Sequence, residues 1–432
     1  MAKNHAWATL ITRPSYLAGV VLLAHTLRTK GRSMYPLIVL VTPSSLPDEY
    51  ISILETEDRL SATPGLLQIR RVEHLLPSRP VNTVATRFED TWTKLRVFSL
   101  TEFDIVVYLD ADMMVMKSGM DELFDFPLPT TGNWLGASHA CTCNVDKDPW
   151  APPEWNVTNC PHTPTTHPDA LERGVSITPD SPPTYELMNS GTFVFRPNEL
   201  LWDEIIEFLD TTELLEQFTF PDQNFLDEFF RGRWVAIGWQ WNAVKTSRYW
   251  HPNIWRDEEV KVLHYIVDKP WNQRVDKQGV AGYLGRDGVT HTWWWDEWEK
   301  WALDRKTNGG KEGEYVLQEM KKLVAKPLGC ESNDQSASAR CVPVELSMKN
   351  SQSSPRANYF TCTLGQAALI SAESPHNRKT ILDIIHQQAS LSPDALAVGF
   401  AVPATGGDEA WKSLTLSVLP LFININGPSW PR

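Results

Sequence analysis

The sequence lacks an excess of positive charge. Its 432 residues include 40 Lys and Arg against 53 Asp and Glu, which gives a formal net charge of −13. A protein that binds nucleic acid through a broad basic surface needs the opposite balance, so we expect no nucleic-acid partner. Because the overall field repels anions, an anionic ligand must be held by local cationic side chains.

Long apolar runs and a dense cysteine pattern are also missing. The longest early apolar stretch, residues 17–24, is too short to cross a bilayer, and no signal peptide is readable near the N-terminus. Six cysteines in a chain of this length do not resemble a disulfide framework. We therefore expect a cytoplasmic protein with reduced thiols and no membrane partner.

Strand-like and helix-like segments alternate through the first 110 residues. Residues 6–12 form an apolar, β-prone run, and the apolar positions of residues 16–28 recur at helical spacing. Residues 36–42 are a continuous apolar run, which is typical of a strand covered on both faces. A predicted helix over 91–102 leads into a predicted strand over 105–109. The alternation predicts an α/β fold, in which ligands gather beyond the carboxyl ends of the strands.

Two regions depart from this alternation. Residues 141–183 are rich in Pro, Thr, His and Asp and have no clear period, which predicts a long loop insertion. Beyond residue 325, Ser and Pro become frequent. The sequence therefore predicts a catalytic domain over 1–325 and an irregular appendage of low order over 326–432.

Two carboxylates end the strand predicted over 105–109. Asp110 and Asp112 are separated by the small Ala111, a spacing that lets both side chains converge on one hard divalent cation. The small residue also lets the backbone approach a bound sugar nucleotide. A turn that carries two Asp by chance is the competing interpretation, and the spacing alone favours it.

Five further segments, in order around this pair, resemble glycosyltransferase family 8, the family of glycogenin and galactinol synthase. They are residues 9–12 with Tyr16, Thr93-Lys94-Leu95, Asn189-Ser190-Gly191, Asp222-Gln223, and His264 followed by Lys269-Pro270-Trp271. The resemblance covers roughly residues 6–275 and implies a GT-A fold, a Rossmann-like mixed sheet flanked by helices.

The resemblance implies a site for a UDP-hexose donor. Asp110, Asp112 and His264 would ligate Mn²⁺, with Mg²⁺ as the alternative, and Lys269 would contact the diphosphate. Lys94 and Arg87 would lie near the donor sugar and phosphates. The other implied donor contacts are Leu10, Thr12, Tyr16, Ala111, Asn189, Ser190 and Gln223. The residues expected to carry catalysis are Asp222, Gln223 and Lys94.

Some of these residues also fit ordinary structural roles. His264 alone fits a hydrogen-bonded core histidine, Lys94 a solvated helix residue, and Arg87 a surface charge. The linker between His264 and Lys269 is one or two residues shorter than in the family and lacks its usual Gly. The contacts of Lys269 are therefore where the sequence departs most from the family pattern.

The resemblance further implies transfer with retention of configuration to a sugar, polyol or protein acceptor. The working hypothesis is a front-face displacement in which the leaving phosphate takes the acceptor proton. Glycogenin-like self-glucosylation would use Tyr249, for which structural packing is the competing interpretation, whereas galactinol synthases use free inositol. The rival class is a catalytically silent sugar-nucleotide-binding or scaffold protein. The sequence does not say which hexose is transferred or whether the chain forms a homodimer.

The long insertion contains a second candidate metal site. Cys141, Cys143 and Cys160, with His162 or His167, offer zinc ligands that could pin the loop. The spacing is not that of a standard zinc finger, and we therefore expect reduced, unligated thiols.

The appendage contains one segment that resembles another family. Residues 379–398 are similar to the first helix of adenylate-forming domains, but the phosphate loop and the later motifs of that family are absent. We therefore predict a truncated remnant without adenylation activity.

Overall fold

The structure is a computed structural model that describes residues 3–78, 91–149, 151–172 and 174–327, together with three strands between residues 399 and 425. Arg87 lies outside the described residues. The chain divides into two units, residues 1–282 with 287–330 and residues 283–286 with 331–432. Each unit is described by itself.

The residues of the larger unit that the structure describes form ten strands in two sheets. They are β1 His5–Ile11, β2 Leu37–Val41, β3 Leu67–Arg71, β4 Ile105–Leu109, β5 Met113–Val115, β6 Leu135–His139, β7 Met188–Phe195, β8 Trp234–Ala236, β9 Ala243–Val244 and β10 Val262–His264. The main sheet has the order β3-β2-β1-β4-β7-β6-β8, and the small sheet the order β5-β10-β9. The neighbours from β3 to β4 are parallel, whereas β7 is antiparallel to both β4 and β6. The main sheet is therefore mixed.

Helices cover both faces of the main sheet. They are α1 Leu17–Thr29, α2 Asp48–Leu60, α3 Glu199–Thr211, α4 Pro221–Phe229, α5 Ser247–Trp250, α6 Gly288–Asn308 and α7 Gly310–Lys322. Side chains alternate along a strand, so Trp7 of β1 packs in a core with α1, α2, α6 and α7, while its neighbours Ala6 and Ala8 pack in a second core with α3 and α4. All five residues of β2 are buried, as the continuous apolar run predicts.

The segment before β4 differs from its prediction. A helix was expected over 91–102, and the structure has a 3₁₀ helix at Thr91–Ser99. Thr91, Thr93 and Val97 are β-branched, which lowers α-helix propensity, and six of the nine residues are buried. Packing in the second core therefore decides the geometry of this segment.

The long segment predicted over 141–183 is irregular where it is described. Its regular elements among those residues are two short 3₁₀ helices, Val157–Asn159 and Asp169–Leu171. The segment lies between β6 and β7, and the 3₁₀ helix Pro183–Glu186 at its end connects it to β7, which carries Asn189 and Ser190.

In the described part of the smaller unit, three strands form an antiparallel sheet. They are β11 Gly399–Pro403, β12 Trp411–Val418 and β13 Leu421–Ile425, in that order. The resemblance over 379–398 falls outside the described residues, and an adenylate-forming remnant stays a prediction. Within the described parts of the chain, none of the helices is both long enough and apolar enough to cross a membrane.

Candidate functional site

Asp110 and Asp112 lie in the turn between β4 and β5. The Asp110 backbone N–H donates to the carbonyl of Gly191 on the neighbouring strand β7, at 2.9 Å. The Asp110 side chain is 22% exposed and that of Asp112 is 9% exposed. The two carboxylates therefore stand at the carboxyl edge of the sheet, where one of them reaches solvent.

His264 joins them from the end of β10. This strand pairs with β5 so that His264 lies opposite Met113, the residue after Asp112. The His264 Nε2 atom is 3.4 Å from Asp112 Oδ1 and 3.9 Å from Asp110 Oδ2. One ligand atom from each of the three residues lies within 4.8 Å of the others, a spacing that can hold a metal ion.

A hydrogen-bond chain fixes the ring of His264. His264 Nδ1 is 2.9 Å from Asn242 Oδ1, and Asn242 Nδ2 donates to Asn189 Oδ1 at 2.8 Å. Asn189 Oδ1 also accepts the Gly191 N–H, so the Asn242 amide group must present its oxygen to the imidazole. Nδ1 therefore donates to Asn242, and Nε2 is the ring atom turned toward the two carboxylates, where it can serve as a metal ligand.

Two glycines permit this close approach. A Cβ at Gly191 would lie 2.4 Å from His264 Cε1, and a Cβ at Gly19 of α1 would lie 2.2 Å from the Ala111 carbonyl oxygen. Contacts this short are not tolerated, so both positions need hydrogen in place of a side chain. The roles of Gly19 and Asn242 were not predicted from the sequence.

Lys94 connects the first carboxylate to α4. Its Nζ is 2.9 Å from Asp110 Oδ1, forms an ion pair with Asp222 Oδ2, and lies 3.4 Å from the carbonyl of Ser190. The Ser190 hydroxyl donates to Asp222 at 3.0 Å. Lys94 is therefore a buried cation between two acids, and its alternative as a solvated helix residue is wrong.

Lys269 pairs with the second carboxylate, Asp112, as Lys94 pairs with Asp110. It forms an ion pair with Asp112, donates to the Tyr265 carbonyl at 2.9 Å and lies 5.8 Å from the centre of the Tyr16 ring. The short linker before it contains Val267 at φ 61°, a left-handed conformation that a β-branched residue rarely adopts. The linker before Lys269 therefore carries backbone strain at Val267.

The pKa values of the two acids are shifted in opposite directions. Burial raises the pKa of Asp110, and neighbouring Asp112 adds to that effect against the opposing charge of Lys94. Burial also disfavours ionised Asp112, but Lys269 and His264 outweigh it and lower its pKa. Although burial alone would lower it, the pKa of Lys94 is raised because Asp110 and Asp222 surround it.

The remaining predicted residues belong to β1, the residue after it, and α4. Leu10 is half-buried in β1, Thr12 directly follows that strand, and Gln223 is half-buried in the first turn of α4. Ala111, Asn189 and Ser190 are placed by the contacts above. The structure thus brings together the three acids, His264 and the two lysines, and it does not describe Arg87.

The family model for glycosyl transferase family 8 matches residues 14–274, which include this whole centre. The chain belongs to glycosyltransferase family 8. Its mixed sheet with helices on both faces is the GT-A type of fold that the resemblance implied. Galactinol synthase 6 of Arabidopsis thaliana is 28% identical over 315 residues, 70% of this chain and 83% of that protein. Galactinol synthase 2 of Solanum lycopersicum is 27% identical over 316 residues, 71% of this chain and 83% of that protein.

Solved structures of glycosyltransferases are also similar to this family 8 chain. The glycosyltransferase GlyE of Streptococcus pneumoniae TIGR4 is 17% identical and covers 75% of this chain and 66% of its own, with a TM-score of 0.43. The galactosyltransferase LgtC, crystallised with donor and acceptor sugar analogs, is 15% identical over 67% of this chain and 94% of its own, with a TM-score of 0.42. Neither likeness bears on the chemistry of the site.

Proposed function

We propose that this family 8 glycosyltransferase moves a hexose from a UDP-sugar to an acceptor hydroxyl, with retention of configuration and with a divalent cation. The observation that carries the proposal is the meeting of Asp110, Asp112 and His264, flanked by Lys94 and Lys269, at the carboxyl edge of the sheet. We also propose that the reaction takes place in the cytoplasm.

The donor set fits Mn²⁺, with Mg²⁺ as the alternative. Two carboxylates are hard ligands, and the imidazole that turns its Nε2 toward them adds a nitrogen that Mn²⁺ accepts more readily than Mg²⁺ does. Asp110, Asp112 and His264 would hold the ion. When bound, it would neutralise the diphosphate and make UDP a better leaving group.

Lys269 is positioned to serve the diphosphate as well. Its ammonium group already lies between Asp112 and the Tyr16 ring, at the edge where the diphosphate would bind. An ion held by Asp112 would weaken the pull of this carboxylate on Lys269. We infer that Lys269 then turns to the leaving phosphate and offsets the charge that develops there.

The proposed sugar-transfer step involves Lys94, Asp222 and Gln223. Lys94 and the Ser190 hydroxyl both contact Asp222, and we propose that its carboxyl oxygens accept hydrogen bonds from donor-sugar hydroxyls. We propose that Gln223, in the same turn of α4, contacts the donor sugar near its anomeric carbon. In a front-face displacement the bond from this carbon to the phosphate oxygen breaks while the bond to the acceptor oxygen forms. The leaving phosphate takes the acceptor proton.

The relatives favour a small polyol as the acceptor and galactose as the sugar, because those named above are galactinol synthases. Transfer to Tyr249 is the second candidate. Tyr249 lies half-buried in α5, with its ring centre 5.6 Å from that of Trp250. A packed ring of this kind is poorly suited to receive a growing glycan, so we propose free inositol rather than the protein itself.

The test measures UDP release and product structure with UDP-galactose or UDP-glucose, with and without inositol, in Mn²⁺ or in EDTA. We expect inositol-dependent release from UDP-galactose in Mn²⁺, an α-linked product by NMR, and an unchanged intact protein mass. Hexoses added to the protein would support Tyr249 as the acceptor. UDP binding without release from any donor would instead identify the silent sugar-nucleotide-binding class.

A further inference from the structure

A second cluster of metal-binding side chains lies outside the proposed active centre. Cys141, Cys143 and Cys160 come from the irregular segment after β6, and His251 directly follows α5. The Sγ atoms lie 3.2, 3.0 and 3.6 Å from His251 Nε2, in that order of residues. The Sγ atoms of Cys141 and Cys143 are 3.5 Å apart. All four ligand atoms lie within 4.8 Å of one another.

These separations are close to those of a tetrahedral zinc site. Zn–S bonds of about 2.3 Å and a Zn–N bond of about 2.0 Å place neighbouring ligand atoms about 3.5–3.8 Å apart. The distances that the structure shows, from 3.0 to 3.6 Å, need only small outward shifts to reach them. All three cysteines are free thiols, so no disulfide competes for the sulfurs.

Burial and donor type identify the ion. Cys143, Cys160 and His251 are at most 2% exposed. Polar groups that converge in the interior need a common partner to offset their desolvation. Three soft sulfurs and one imidazole in a tetrahedral arrangement are the ligands of Zn²⁺, whereas Mn²⁺ and Mg²⁺ prefer oxygen.

We infer that Cys141, Cys143, Cys160 and His251 bind one structural Zn²⁺ ion. Four protein ligands leave no open position for a substrate, so the ion has no catalytic role. It joins residues 91 to 110 positions apart in the sequence and fixes the irregular segment to the chain after α5. That segment leads directly into β7, which carries Asn189 and Ser190 of the active centre. Because the segment has little secondary structure, zinc binding would supply the stability that helices and strands provide elsewhere in the fold.

This proposal replaces the expectation of unligated thiols, and it names His251 as the histidine ligand in place of His162 or His167. His162 lies beside the cluster, with its ring centre 5.2 Å from that of His251, but its Nε2 faces the carbonyl of His139 at 3.2 Å. His167 is likewise outside the four-ligand group. His251 escaped the sequence analysis because 91 residues separate it from Cys160.

The first test needs no variant. Full-length protein purified from zinc-supplemented cells is analysed for metal by mass spectrometry and for zinc ligands by X-ray absorption. We expect about one Zn²⁺ per chain with three sulfurs near 2.3 Å and one nitrogen near 2.0 Å. Absence of stoichiometric zinc, or zinc bound by oxygen and nitrogen alone, would overturn the inference.

The second test assigns the ligands. Cys143→Ser and His251→Gln should each lower bound zinc at least tenfold and expose additional thiols to a thiol reagent. The matched controls Cys362→Ser and His162→Gln should keep one zinc per chain. Retention of zinc by both ligand variants would contradict the assignment. If a ligand variant does not fold, the X-ray absorption spectrum of the natural chain still shows whether three sulfurs and one nitrogen bind the zinc.

Discussion

The two metal-binding clusters of this protein have similar geometry and opposite chemistry. In each, the ligand atoms lie within 4.8 Å of one another. The Asp110–Asp112–His264 cluster offers oxygen and nitrogen, reaches solvent through Asp110, and has Lys269 paired with one of its ligands. The cysteine cluster offers sulfur and lies in the interior. The spacing of the ligand atoms therefore locates a metal site. The donor type and the neighbouring charge indicate whether the ion exchanges and takes part in a reaction or stays bound and stabilises the fold.

Substitution of a carboxylate should separate the two clusters most strongly. Asp112→Asn removes an ionised ligand and the partner of Lys269, so UDP release should fall at least about 10³-fold, since electrostatic stabilisation of the leaving group is lost. Zinc content and folding, measured by mass spectrometry and circular dichroism, should not change. The control Asp125→Asn alters an exposed acid and should keep full activity. Undiminished UDP release by Asp112→Asn would remove this residue from the mechanism.

Acid should also destabilise the protein through a group that lies outside both clusters. His291 is fully buried near Lys245, and burial, followed by that positive charge, lowers its pKa to about 3. The unfolded chain binds this proton near pH 6.5 and the folded chain does not, so stability falls as pH drops through that range. The free energy of unfolding should decrease by about 3 kcal/mol between pH 6.5 and pH 4 from this group alone.

Denaturant titrations at several pH values test this expectation. His291→Gln should lower stability at pH 7 but show a shallower loss on acidification than the natural chain. Equal slopes for the two proteins would show that His291 does not stay neutral in the fold.

The orientation of His264 can be tested without removing a ligand. Asn242→Ala deletes the acceptor of His264 Nδ1, so the imidazole no longer presents Nε2 in a fixed direction. The Mn²⁺ concentration needed for half-maximal activity should rise about 10- to 100-fold, as for other residues that orient a metal ligand. Asn198→Ala removes the N-cap of α3 and serves as the control. It should cost about 1 kcal/mol of stability and leave the Mn²⁺ requirement unchanged.

The smallest expected effect concerns the linker before Lys269. Val267→Gly relieves the left-handed conformation and should stabilise the protein by about 1 kcal/mol, measured as an increase in melting temperature. Activity should change little if the strain only reflects the short linker. A large loss of activity with unchanged Mn²⁺ dependence would show instead that the conformation of Val267 positions Lys269.

The sequence predicted which acids and lysines meet better than it predicted the residues that support them. Asp110, Asp112, Lys94 and Lys269 belong to short motifs at strand and helix ends, so local patterns and the family resemblance singled them out. Asn242 and His251 act through contacts with residues 22 or more positions away, which only tertiary packing brings together.

The same limit applies to secondary structure. The buried run of β2 was predicted because a strand covered on both faces has a distinctive composition. The 3₁₀ geometry of Thr91–Ser99 was not, because packing around a buried segment decides it. The long segment was predicted to be irregular, but its spacing could not reveal a ligand from α5.

The central claim is that Asp110, Asp112 and His264 bind the ion on which sugar transfer depends. The most direct measurement titrates EDTA-treated protein with Mn²⁺ while UDP release from UDP-galactose is recorded in the presence of inositol. The account predicts no release before Mn²⁺ is added, saturable recovery in the natural chain, and none in His264→Ala. Full release in EDTA, or equal recovery in His264→Ala, would contradict it.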